Sequence, residues 1–145
     1  MEKILSVCIP SYNMEGFLGR CVDSMLVSEV LDKLEIIIVN DGSKDETLSI
    51  ANNYKQKYPN SIIIIDKPNG HYGSCVNEAL KVATGKYFRI VDADDWVDSE
   101  SFKKMIVTAL VTDVDVFFTK FMDCDFKIIR QIPRKSTDNI YNTIL

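Results

Sequence analysis

Residues 34–43 read Leu34-Glu-Ile-Ile-Ile-Val-Asn-Asp-Gly-Ser43. The run Leu34–Val39 shows no regular alternation of apolar and polar positions, so it reads as a strand buried on both faces. It ends in Asn40-Asp-Gly, residues that favour a turn. A strand of this kind needs cover on two sides, and the segments before and after it supply that cover.

Upstream, Ile4-Leu-Ser-Val-Cys-Ile9 is a second β-rich run, ending at Pro10. From Glu15 to Ser28 the apolar residues Phe17, Leu18, Cys21, Val22, Met25 and Leu26 fall on one helical stripe. Downstream, Ser43 with Glu46 has the spacing of a capping box, opening a helix that runs to Tyr58 and stops before Pro59. Ser61–Asp66 is a third strand, 73–84 a third helix closed by Gly85, and Lys86–Val91 a fourth strand. Asp98 or Ser99 caps a helix that reaches Leu110, and Asp115–Phe121 and Lys127–Ile132 are read as further strands. Regular strand–helix alternation with undivided apolar strands implies an α/β fold, a mostly parallel sheet flanked by helices.

The 145 residues fit one domain with a sizeable core. A net charge of -4 argues against nucleic acid, which rewards a basic stripe. No apolar run is long enough to cross a bilayer, and the N-terminus shows no basic-then-apolar leader. The four cysteines, Cys8, Cys21, Cys75 and Cys124, form no CxxC pair, which argues against a zinc knuckle. Cys8, Cys21 and Cys75 lie in apolar stretches and read as buried thiols, consistent with a reducing cytoplasm. His71 is the only histidine, so a cage or relay built on two imidazoles is excluded.

In an open α/β sheet, ligands bind outside the carboxyl ends of the strands. Here those ends read Pro10-Ser-Tyr-Asn13, Asn40-Asp-Gly-Ser43, Lys67-Pro-Asn-Gly-His-Tyr-Gly-Ser74 and Asp92-Ala-Asp-Asp95. Any one of them is ordinary turn chemistry; four polar ends on one sheet edge read as a shared site. Asp41, presented between an apolar strand and Gly42, can accept from the N–H of a base or from ribose hydroxyls. The Gly70 and Gly73 loop opens a helix whose backbone N–H groups can face phosphate, although neither a GxGxxG fingerprint nor a Walker loop is present. Asp92, Asp94 and Asp95 gather carboxylates that repel one another unless a cation compensates. A hard divalent ion bridging a diphosphate suits oxygen ligands.

Four segments together resemble the family 2 inverting glycosyltransferases, which have the Rossmann-like, nucleotide-binding GT-A fold. They are Val7-Cys-Ile-Pro-Ser-Tyr-Asn13, Ile37-Ile-Val-Asn-Asp-Gly-Ser-Lys-Asp45, Asn69-Gly-His-Tyr-Gly-Ser-Cys-Val-Asn77 and Val91-Asp-Ala-Asp-Asp95. The resemblance implies transfer of a sugar, with inversion, from a nucleotide-diphosphate donor to a glycan or polysaccharide acceptor, as in cell-wall assembly. The donor it implies is a UDP-sugar. Pro10, Ser11 and Tyr12 would line the nucleotide pocket, and Glu15 would approach the nucleoside. Asp41 would contact uracil. Asn69, Gly70, His71 and Asn77 would lie beside the donor. Asp92, Ala93 and Asp94 would form the DxD element, with Asp92, Asp94 and Asp95 the candidate ligands of Mn²⁺ or Mg²⁺.

The chain departs from the family pattern at Asn40, Val76 and His71, where many members have Asp, a basic residue and Gly. The family's catalytic base, a carboxylate that deprotonates the acceptor hydroxyl, is expected outside this chain; Asp113, Asp115, Asp123 and Asp125 are in no motif that marks one. The expectation is therefore a donor-binding domain over residues 1–132, a tail over 133–145, and an acceptor half that is short or absent. The location expected is cytoplasmic or membrane-peripheral, with homo-oligomers left open. The alternative reading is a truncated or non-catalytic nucleotide-sugar-binding module. An aspartate-nucleophile phosphatase also uses DxD, but on the strand that leads the fold. A nucleotidyltransferase would carry a basic, Gly-rich loop where Pro10–Asn13 stands.

Overall fold

The computed structural model describes residues 2–116 and Thr119. Four parallel strands form one sheet in the order β3-β2-β1-β4: β1 (Leu5–Ser11), β2 (Leu34–Asp41), β3 (Ile62–Lys67) and β4 (Tyr87–Ile90). The α-helices are α1 (Leu18–Met25), α2 (Thr47–Lys57), α3 (His71–Val82) and α4 (Ser99–Val111). A 3₁₀ turn, Ser28–Lys33, leads into β2.

The doubly buried strand is β2, and the period of two along it decides the layering. Leu34, Ile36 and Ile38 face a core shared with Leu18, Val22, Met25, Phe102 and Ile106 from α1 and α4. Ile37 and Val39 face the opposite side, with Cys8 of β1 and Cys75 and Ala79 of α3. The result is a sheet between two helical layers. In α1 the buried residues Leu18, Cys21, Val22 and Met25 recur at helical spacing, while Arg20 and Asp23 face outward.

Several expected boundaries shift. The first helix spans Leu18–Met25 rather than 15–28 because Asn13, Met14 and Glu15 spend their backbone N–H groups on the neighbouring loop. Ser43 does not cap α2. Its hydroxyl accepts from Asn13 N–H, and the Asp45 carboxylate takes the Thr47 N–H at 3.0 Å instead. Gly85 is not the C-terminal stop of α3, which already ends at Val82. Gly85 is small because a Cβ there would lie 2.6 Å from Ser6 N. Asp98 caps α4 as expected, accepting from Ser101 N–H at 2.9 Å.

Among the described residues the fourth strand lies at the edge of the sheet and is half-buried, with Ile90 38% exposed. The expected strand Asp115–Phe121 is described only at Asp115, Val116 and Thr119, which are not in strand conformation. The expected strand Lys127–Ile132 and residues 133–145 lie outside the described residues, as does Cys124. Cys8, Cys21 and Cys75 are buried and free, as expected. Among the described residues, no helix is long and apolar enough to cross a membrane.

Glu35 escaped the sequence reading as an apolar-strand residue. It is buried, and its carboxylate accepts from Ser6 Oγ (2.7 Å), Thr84 N (3.0 Å) and Thr84 Oγ1 (2.8 Å). This satisfied network pins the entry of β4 to β1 and β2.

Candidate donor-binding cleft

The strand order places β2 and β3 on one side of β1 and β4 on the other. The chain therefore leaves β1 in one direction and returns to its far side, which opens a crevice at the carboxyl ends. A cleft of about 810 Å³ occupies that position. All four sequence-predicted strand ends contribute to it: Pro10, Ser11, Tyr12 and Met14 after β1, Asp41 of β2, Asn69, His71, Tyr72 and Cys75 around the start of α3, and Asp92, Ala93 and Asp94 after β4. Glu15, Gly70, Asn77 and Asp95 do not line it.

The loops after β1 and β2 are laced together. Asn13, at φ 53°, receives the Lys44 N–H on its side-chain oxygen at 2.8 Å and sends its own N–H to Ser43 Oγ at 3.0 Å. Met14 N–H reaches Thr47 Oγ1 at 2.7 Å. Glu15 donates its N–H to Asp45 at 3.1 Å and accepts from Glu46 N–H at 3.0 Å. Glu15 thus braces the rim of the cleft from outside.

Asp41 is 4% exposed. Its Oδ1 takes the ammonium of Lys67 and, at 2.8 Å, the N–H of Gly70. Burial alone would raise this carboxyl; the Lys67 ammonium and the Gly70 and His71 N–H groups outweigh it and hold the group below its ordinary value. The neighbouring turn is shaped by close approach. Gly42 has φ +73°, and a Cβ on it would sit 2.9 Å from Asn69 N.

Across the cleft, Asp92 accepts from the Tyr72 hydroxyl at 2.9 Å. Burial and this bond push the tyrosine up to about 12, so it remains a donor. Asp95 sits against Asp94 and Asp92; burial and their two charges raise it above the ordinary carboxylate value. Among the described residues no Lys or Arg forms an ion pair with any of the three. No group of three Asp, Glu, His or Cys side chains converges as a ready metal cage among those residues either. The three-ligand set Asp92, Asp94 and Asp95 is thus not pre-assembled. The donor set still fits a hard cation that takes one or two carboxylates and completes its shell with phosphate oxygens and water.

Cys8, Cys21 and Cys75 offer no nucleophile. Burial pushes Cys8 and Cys21 up to about 12, and burial with the Asp41 charge raises Cys75.

Three residues that touch this region were not singled out in the sequence. Lys67 reaches Asp41 from the next strand, and Tyr72 reaches Asp92 from α3. Arg20 of α1 donates Nη2 to the Asp94 carbonyl at 3.1 Å while its guanidinium lies 3.9 Å from the centre of the Trp96 ring. Trp96 is 46% exposed, beneath Arg20. None of these contacts has a sequence signal, because each joins residues distant in the chain.

The sequence profile of "Glycosyl transferase family 2" matches residues 6–143. The glycosyltransferase EpsJ of Bacillus subtilis is 36% identical over 116 residues, 80% of this chain and 33% of that protein. The poly(ribitol-phosphate) beta-glucosyltransferase of Bacillus spizizenii is 43% identical over 100 residues, 67% of this chain and 16% of that protein. The chain thus spans a third or less of the length of these relatives. Among solved structures, S. aureus TarS 1-349 in complex with UDP superposes with a TM-score of 0.73 at 26% identity, covering 90% of this chain and 38% of TarS 1-349.

Proposed function

Given that this chain belongs to glycosyl transferase family 2, we propose that it forms the donor-binding part of an enzyme that transfers a sugar from UDP to a glycan or polysaccharide acceptor with inversion. The observation that carries this reading is the placement of one charged, buried acceptor, Asp41, and a carboxylate pair, Asp92 and Asp94, that forms no ion pair among the described residues, on opposite walls of one cleft. The UDP complex of TarS, the same fold, supports the choice of nucleotide.

In this reading the Asp41 carboxylate accepts the ring N–H of uracil. Tyr12, 44% exposed at the cleft wall, offers a ring face to the base. Pro10 and Ser11 shape the floor, while Asn69 and His71 face the donor from the start of α3. Asp92 and Asp94, with Asp95 beside them, hold a divalent ion, Mn²⁺ or Mg²⁺, which when bound offsets charge on the departing diphosphate. Glu15 and Gly70 act from outside the cleft: Glu15 by bracing its rim, Gly70 through its N–H to Asp41. The base that deprotonates the acceptor is assigned to no residue of this chain, and residues 1–132 are proposed as the donor half.

Substitution separates the two walls. Asp41→Ala should weaken UDP binding with or without Mn²⁺. Asp94→Ala should remove chiefly the Mn²⁺-dependent part. Equal Mn²⁺ dependence in the wild type and Asp94→Ala would take Asp94 out of the site.

A further inference from the structure

Lys67 stands in a cage of three acceptors. Besides Asp41 Oδ1, its ammonium donates to Pro68 O at 2.8 Å and Ser74 Oγ at 2.8 Å. An ammonium has three N–H donors, and all three are used. Its side chain is 16% exposed and that of Asp41 6%, and Lys67 is not among the residues lining the cleft. The cage is built to size. A Cβ on Gly70 would fall 2.6 Å from Ser74 Oγ and 2.9 Å from Lys67 Nζ.

The expected task of a lysine beside a nucleotide site is to bind phosphate, and here the geometry argues against it. The cation has no donor left to offer and no face on the cleft. What it does touch is the one cleft-lining carboxylate that is buried. Lys67 and the Gly70 N–H both take Oδ1, so neither of them occupies Oδ2.

We propose that Lys67 sets the base preference of the cleft by holding Asp41 as a charged, acceptor-only group. An ionised carboxylate can only accept, whereas a protonated one can also donate. UDP presents a ring N–H at N3 and pairs with an acceptor; CDP presents a bare ring nitrogen there and is repelled by it. With Lys67 removed, only the Gly70 and His71 N–H groups oppose burial, and the balance at Asp41 moves toward the protonated form. The group can then donate to the cytosine ring nitrogen, and the discrimination collapses. Lys67 is thus a positioning residue acting through Asp41. The inference rests on the donor-site reading above and adds the group that determines which nucleotides that site accepts.

The test is the ratio of UDP to CDP affinity, measured by calorimetry in the wild type, Lys67→Met and Lys67→Arg, with folding checked by thermal melting. The two ligands share their diphosphate, so any contribution from a divalent ion cancels in the ratio. The expected result is a preference for UDP of about tenfold or more in the wild type, a ratio near one in Lys67→Met, and a retained preference in Lys67→Arg. If Lys67→Met does not fold, Lys67→Gln, which keeps donors but no charge, is expected to give the same loss. Folded Lys67→Met or Lys67→Gln that weakens UDP and CDP equally, leaving the ratio intact, would overturn the inference and leave the donor site standing. A wild-type chain that binds neither nucleotide would overturn the donor-site reading and this inference with it.

Discussion

The Tyr72 hydroxyl donates to Asp92 Oδ1 at 2.9 Å, joining the start of α3 to the loop after β4 across the cleft. The bond occupies an oxygen of the carboxylate that the proposed function gives to the divalent ion. Tyr72→Phe should therefore tighten Mn²⁺ binding, measured by titration without nucleotide. A partly exposed hydrogen bond to a charged group contributes about 1 kcal/mol, so the gain should be about fivefold. Weaker Mn²⁺ binding in Tyr72→Phe would mean that the hydroxyl helps to place Asp92 instead of competing for it.

Arg20 joins α1 to the same acidic loop through the Asp94 carbonyl and the Trp96 ring. An exposed cation–π contact contributes about 0.5–1 kcal/mol. Arg20→Ala should lower thermal stability by about 1 kcal/mol and change the emission of Trp96, the chain's one tryptophan. The Mn²⁺-dependent part of UDP binding should fall while the metal-free part holds. Unchanged Trp96 emission would show that the stack does not form in solution.

Gly85 packs against the start of β1, where a Cβ would meet Ser6 N at 2.6 Å and Leu5 C at 2.8 Å. Backbone cannot yield as a flexible side chain does, so Gly85→Ala should destabilise by about 2–3 kcal/mol in denaturant unfolding. It should also loosen the Glu35 network, since Gly85 N–H donates to Ser6 Oγ at 2.8 Å. A loss below about 0.5 kcal/mol, the range of ordinary surface changes, would contradict this account of the β4 entry.

The Asp41–Lys67 pair has a pH signature. Asp41 is held below its ordinary value of 3.8 in the folded chain. Its contribution to stability is therefore complete above that value and is lost as pH falls through the folded one. In Lys67→Met the Gly70 and His71 N–H groups alone oppose burial, so Asp41 is held less far down and contributes less to stability. The destabilisation by Lys67→Met should be largest at neutral pH and shrink as pH falls through the wild type's folded value, below 3.8, read from melting temperatures of both proteins. A difference independent of pH would mean that Asp41 keeps its charge without Lys67.

The sheet was legible because Leu34–Val39 and Ile4–Ile9 are predominantly apolar runs, each broken by one polar residue, a local property. It also carried the cleft's outline, because a parallel sheet puts every strand's carboxyl end on one edge. What it did not carry was side-chain pairing between elements. Lys67 and Asp41 are 26 residues apart, Tyr72 and Asp92 20, and Arg20 and Asp94 74. Such partners are set by strand register and helix placement, which no local pattern encodes. The same reason explains the misplaced cap on α2. Ser43 has the right spacing, but the adjoining loop claims its hydroxyl before the helix can.

The proposed function requires that this cleft bind a uridine diphosphate group with help from a divalent ion. The most direct measurement is a calorimetric titration of UDP into the purified chain, first with Mn²⁺ and then with EDTA, with ATP as the control. The expected result is saturable UDP binding that weakens markedly in EDTA, with ATP inert. Absence of UDP binding in Mn²⁺, or equal binding of ATP, would contradict it.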